Sequence, residues 1–76
     1  MTITAEQCRA ARGLLDWSQP DLARASGIGR ATITRFERGS HIPHASNLAA
    51  LRAAFEAAGV EFIDPNGGGP GARLRG

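Results

Sequence analysis

The sequence predicts a mainly α fold of four short helices with a short β-strand or hairpin at the C-terminal end. Three observations carry this expectation. Capping and stop residues recur at short intervals, apolar residues sit at helical spacing between them, and the pattern changes at Val60-Glu61-Phe62-Ile63 to β-branched and aromatic residues followed by turn formers. A chain of 76 residues holds one domain with a small core. Residues 1–59 are expected to form the helical body and residues 60–76 a β tail.

Thr4 opens the first helix, and Gln7 three residues later completes a capping box. Cys8, Ala11 and Leu15 then recur at helical spacing and should face the core. Gly13 weakens this helix, Asp16 and Trp17 end it, and Trp17 should fill the gap between the first and second helices. Ser18 caps the second helix, with Asp21 placed to reciprocate and to complement the helix dipole. Pro20 lies in the first turn, where its missing N–H costs nothing. Leu22, Ala23 and Ser26 fit a helix of about two turns, and Gly27 stands where a left-handed C′ residue is expected.

Ile28 is an apolar plug in the turn, and Gly29 starts a third helix whose Ile33 and Phe36 face inward. Gly39 ends that helix after Arg38. Ser40–His44 is a loop in which Ile42 is expected to tuck under as a core contact, and Pro43 prevents the third helix from continuing. The fourth helix runs from about Ala45 to Ala58 on an apolar stripe of Leu48, Leu51 and Phe55, and Gly59 stops it. Asp64–Gly71 reads as a flexible connection, and Ala72-Arg73-Leu74-Arg75 alternates like a half-exposed strand. The two β segments can pair as a hairpin, which, being marginal alone in water, must pack on the helices or join strands of a second subunit. A disordered tail over residues 72–76 is the plainer alternative.

The stretch Ser18–Gly39 reads as a continuous helix–turn–helix. Small Ala23 allows a close crossing, Gly27 permits the corner, and Ile33 locks the two helices together. A plain helical hairpin would share single caps, but not the whole combination. Such a motif lays its second helix, here about residues 29–38, in the DNA major groove. The outward residues near its start are Arg30, Ala31, Thr34 and Arg35, which makes them the candidate base contacts. Each arginine can grip guanine O6 and N7 in a bidentate pair, worth about 1–3 kcal/mol of discrimination. Ala31 and the Thr34 methyl can touch a thymine methyl. Arg30 fits a phosphate equally well. Ser18, Gln19, Gly29 (through its N–H), Thr32 and Arg38 are the candidate phosphate contacts, Gln19 first because the second helix starts there. Capping or packing accounts for Thr32 just as well.

All nine basic residues are arginine, and Arg24, Arg30, Arg35 and Arg38 fall within the motif against Asp21 and Glu37, although the net charge is only +2. A local surplus of this kind suits a phosphate-binding patch and equally a solvated helix face. Cys8 is the lone cysteine, so no intramolecular disulfide forms, and its place on an apolar face suits a small buried hydrophobe. His41 and His44 flank Pro43 without a third ligand, so no metal or other cofactor is expected. The run GGGPGAR lacks the Lys-Ser/Thr pair of a phosphate loop. Nothing in the sequence resembles a paired-carboxylate, Cys–His or Ser–His constellation, which argues against an enzyme. No apolar run approaches the ~20 residues of a membrane span, and no basic-then-apolar leader opens the chain, so a cytoplasmic location is expected.

The pattern SQxxLAxxxGI…TIxxFExG resembles the Cro/repressor-type, XRE-like helix–turn–helix transcriptional regulators, whose fold is the compact lambda-repressor-like bundle. The matching residues are Arg12, Trp17, Ser18-Gln19, Leu22-Ala23, Gly27-Ile28, Ile33, Phe36-Glu37-Arg38-Gly39 and Pro43, within about Glu6 to Gly59. The resemblance implies base reading at Arg30, Ala31 and Arg35, a phosphate contact at Gln19, and a buried ion pair between Arg12 and Glu37. The best-known phage members carry amides where this chain has arginines, which points here to a guanine-containing half-site. The family likeness further implies a sequence-specific regulator of double-stranded DNA, acting as a homodimer on a pseudo-palindrome with recognition helices about 34 Å apart. Val60, Phe62, Ile63 and Leu74 are the expected dimer contacts. The alternative is an antitoxin or other module that works only with a protein partner.

Overall fold

Two reciprocal capping boxes fix where the first two helices begin. The Thr4 hydroxyl accepts from the Gln7 N–H while the Gln7 side chain accepts from the Thr4 N–H, and Ser18 and Asp21 repeat the exchange. The computed structural model describes residues 2–64 and 68–75. In chain order it contains α1 (Ala5–Leu15), α2 (Gln19–Ser26), α3 (Arg30–Glu37), α4 (Ala45–Ala57), β1 (Val60–Ile63) and β2 (Gly71–Leu74). The mainly helical class expected from the sequence is therefore found.

Helix ends follow from local chemistry. Gly27 takes φ +76° and closes α2 by donating its N–H to the Ala23 carbonyl. Asp16 adopts a left-handed φ of 55° at the end of α1, a conformation that a short polar side chain tolerates better than most. Ser26 stitches the turn of the motif: its hydroxyl donates to the Leu22 carbonyl at 2.7 Å and accepts from the Ile28 N–H at 3.1 Å.

The core gathers residues from all four helices and β1. Cys8, Leu22, Ile33, Leu51, Phe55 and Val60 are its largest fully buried side chains, joined by Ile3, Ala11, Phe36, Leu48 and Phe62. An aromatic ladder runs through it. Trp17 stacks on Phe55 at 5.8 Å between centroids, and Phe62 meets Phe55 edge-on at 5.9 Å. These are the offset and T-shaped geometries that the ring quadrupoles favour. Arg52 lies over the outer face of Phe62 at 5.3 Å.

The loop after α3 corrects one expectation. Ile42 is 81% exposed, and Pro43 is the buried residue instead. Neighbouring side chains in an extended loop point to opposite sides, so only one of the two can face the core. The compact proline ring, just before the His44 N-cap of α4, takes that place.

The C-terminal segments form an intramolecular antiparallel hairpin, with Val60 opposite Leu74, Glu61 opposite Arg73, Phe62 opposite Ala72 and Ile63 opposite Gly71. The second strand begins at Gly71, one residue earlier than the alternation suggested, and Gly71 pairs with Ile63. Residues 65–67 of the expected Asp64–Gly71 connection, and Gly76 of the tail, lie outside the described residues. Alternation directs Val60 and Phe62 into the helical core, so these two cannot supply a dimer surface as expected. Ile63 and Leu74 remain 40% and 48% exposed.

Gln7 ties this hairpin to α1. Beyond its capping bond, its side-chain amide donates to the carbonyls of both Ile63 and Gly71, at 3.2 and 3.1 Å. A buried amide with every polar atom satisfied is a rigid clamp. Gln7→Glu keeps a side chain suited to the capping box but replaces both donors with a carboxylate facing two carbonyls. It is expected to cost about 1–3 kcal/mol in urea unfolding, with faster amide exchange confined first to residues 60–63 and 71–74.

Candidate nucleic-acid interface

The interface is built outward from a buried carboxylate. Glu37 ends α3, and its side chain is only 4% exposed. Arg12, on α1, meets it in a fork: Nε donates to Oε2 at 2.8 Å and Nη2 to Oε1 at 2.7 Å. The third guanidinium nitrogen, Nη1, donates to the Trp17 carbonyl at 3.0 Å and so fixes the chain between α1 and α2. Arg9 donates to the backbone carbonyl of Glu37. The Arg12–Glu37 pair implied by the family resemblance is thus present.

Two further donors reach the same carboxylate, and neither was expected. The Cys8 thiol donates to Oε2 at 3.1 Å, so Cys8 is a polar partner as well as a small core residue. The Gln19 amide donates to Oε1 at 3.1 Å. The other end of that amide accepts from the Thr34 hydroxyl at 2.8 Å. One connected chain of hydrogen bonds therefore links α1, the N-terminus of α2 and the middle of α3. Spacing alone could not reveal it, because the participants lie 15 to 29 residues apart.

The electrostatics follow from this arrangement. Burial alone would raise the Glu37 pKa, but hydrogen bonds from Arg12, Gln19 and Cys8 outweigh it and hold the carboxyl below the usual glutamate range. Burial, then the bond to Glu37, pushes the Cys8 thiol far above its ordinary value. A protonated, buried thiol is a poor nucleophile.

The outer surface of α3 carries the candidate contacts. Arg30, Thr34 and Arg38 fall in one row along the helix, with Ala31 and Arg35 in the row beside it. Arg30, Ala31, Arg35 and Arg38 are exposed, whereas Thr32 and Thr34 are half-buried. Among the described residues, no ion pair engages the side chains of Arg30, Arg35 or Arg38. Arg24 differs, since it pairs with Asp21 on α2. At the start of α2, exposed Ser18 is occupied by its capping exchange with Asp21, and half-buried Gln19 by Glu37 and Thr34. Gly29 is exposed at the N-cap of α3, where no side-chain cap is made. A short helix with an uncommitted arginine-rich face, braced across a second helix at a glycine corner, defines a helix–turn–helix DNA-binding domain.

A family model for the Cro/C1-type helix–turn–helix matches residues 9–61. The chain belongs to this family, the XRE family of DNA-binding transcription regulators. No curated protein is detectably similar to the chain. No helix among the described residues is long and apolar enough to cross a membrane. No group of histidine, cysteine or acidic residues among them could hold a metal ion.

Because the folded pKa of Glu37 is depressed, its contribution to stability is fully present above the unfolded value and is lost as pH falls through the folded one. Unfolding free energy should therefore be level near neutrality and decline below about pH 4. Glu37→Gln should flatten part of that decline; the remainder reflects Asp21 and Glu61, which are lowered by hydrogen bonds from Ser18 and Arg73. Arg12→Ala, which strands the carboxylate, is expected to cost about 3 kcal/mol at neutral pH, measured by the same denaturant titration.

Proposed function

We propose that the chain is a sequence-specific regulator that acts as a homodimer, with α3 in the major groove of each half of a pseudo-palindromic operator. The observation that carries this reading is the uncommitted arginine face of α3, held in place from behind by the Glu37 network. Arg30, Ala31, Thr34 and Arg35 are assigned to bases, and the two arginines favour guanine. Ser18, Gln19, Gly29, Thr32 and Arg38 are assigned to phosphates. The Gln19 amide keeps one proton beyond that given to Glu37, which suits a phosphate oxygen at the N-terminus of α2.

Selection of bound duplexes from a random pool tests the assignment. Full-length protein should enrich a guanine-containing half-site, and Arg35→Ala should relax preference at one position of it. Arg38→Ala should instead weaken binding to all duplexes alike and lower the slope of log affinity against log salt by about 1. Enrichment of no sequence would favour a module that binds only with a protein partner.

For the dimer, the burial of Val60 and Phe62 leaves Ile63 and Leu74 as the apolar side chains of the hairpin that a second subunit could reach. The strand register places them on opposite faces of the hairpin, Leu74 beside Val60 and Ile63 beside Gly71. Leu74, the last residue of β2 and half-exposed, is the proposed contact. Leu74→Glu should leave the monomer fold intact, shift the sedimentation of the protein toward the monomer, and reduce affinity for a two-half-site duplex more than for a single half-site. Deleting residues 60–76 would not serve, because it strips Val60 and Phe62 from the core.

A further inference from the structure

The hydrogen-bond chain behind α3 has a direction, and that direction reaches the DNA-facing surface. Glu37, gripped by both prongs of Arg12, is an ionised carboxylate that can only accept. An amide has one donating and one accepting end. Gln19 must therefore turn its Nε2 toward Glu37, which leaves its Oε1 toward Thr34. The Thr34 hydroxyl has a single proton, and it is given to that oxygen at 2.8 Å. What Thr34 has left is lone pairs. It sits in the same row of α3 as Arg30 and Arg38, one turn from each.

A hydroxyl fixed as an acceptor is incompatible with most of what DNA offers. Phosphate oxygens, guanine O6 and N7, and thymine O4 are themselves acceptors. The major-groove donors are the exocyclic amino groups, adenine N6 and cytosine N4. We infer that Thr34 reads an exocyclic amino group, adenine or cytosine, at one base pair of each half-site, and that the Arg12–Glu37–Gln19 chain is what restricts it to this role. The inference rests on the reading of α3 as the base-contacting helix. It gives the interface a mixed polarity: arginines donate to guanine while Thr34 accepts from a neighbouring amino base. Gln19 is a positioning residue for this contact, in addition to any phosphate it binds.

The test uses the full chain and the duplex that it enriches from a random pool. Each adenine in turn is replaced by N6-methyladenine and each cytosine by N4-methylcytosine. Both keep base pairing and put a methyl where the major-groove amino proton was. At one position per half-site the replacement should weaken binding by about five-fold or more, the worth of a single hydrogen bond. Which analogue acts there tells adenine from cytosine. Thr34→Val, which keeps the shape and removes the hydroxyl, should bind methylated and unmethylated duplexes equally at that position. Thr34→Ser, which keeps the hydroxyl, should retain the wild-type sensitivity. The inference is overturned if Thr34→Val stays as sensitive as wild type at every position, or if no amino-bearing base is sensitive. Failure to enrich any duplex would instead overturn the base-reading assignment on which the inference stands.

Discussion

Glu37 carries a negative charge into the interior, and donors from separate parts of the chain must be brought to it. Arg12 supplies a fork, Gln19 an amide and Cys8 a thiol, so each carboxylate oxygen accepts two hydrogen bonds. An unpaired buried charge would be worth several kcal/mol of destabilisation, so the arrangement tolerates little rearrangement. Because the donors come from α1 and α2 while the acceptor ends α3, the ion pair sets the angle at which α3 is presented. Apolar packing alone, through Leu22, Ile33 and Phe36, would permit more slippage than this directional network. The pair therefore contributes more to the uniqueness of the α3 placement than to net stability.

Much of the fold was legible in the sequence because it is written in local signals. Capping residues, the corner glycine and the apolar stripes act within a few positions, and the helix boundaries came out close to expectation. Ile42 was expected inside on hydrophobicity, but the choice between it and Pro43 depends on the direction in which the loop enters α4. Val60 and Phe62, expected as dimer contacts, alternate with Glu61 and Ile63, the pattern of a strand with one face against the helices. The outward face of α3 could be read from helical periodicity. The partners of Gln7, Cys8 and Gln19 could not, because each bond spans distant segments whose meeting depends on tertiary packing. A buried glutamine close to a hydrophobic stripe, such as Gln7, is a partial clue, since its amide must find partners somewhere.

The α3 helix and the hairpin lie at opposite ends of a continuous path of contacts. Gln7 holds the hairpin to α1, Arg12 and Cys8 hold α1 to α3, and the Trp17–Phe55–Phe62 ladder connects the α1–α2 junction to α4 and β1. A small domain has few buried residues to spare, and here many of them belong to this path. Contacts to the hairpin and contacts to the α3 surface are accordingly made by parts of one rigid unit.

The Gln7 clamp also dictates when the molecule can be finished. Its bond to the Gly71 carbonyl joins residues 64 positions apart. During synthesis all four helices and the first strand emerge before the second strand exists, so β1 reaches the core with its pairing edge still open. The helices form quickly from near neighbours, but this closure carries the loop entropy of nearly the whole chain. A nascent domain stalled before residue 71 would expose the unpaired edge of β1, a template on which another copy could add a strand.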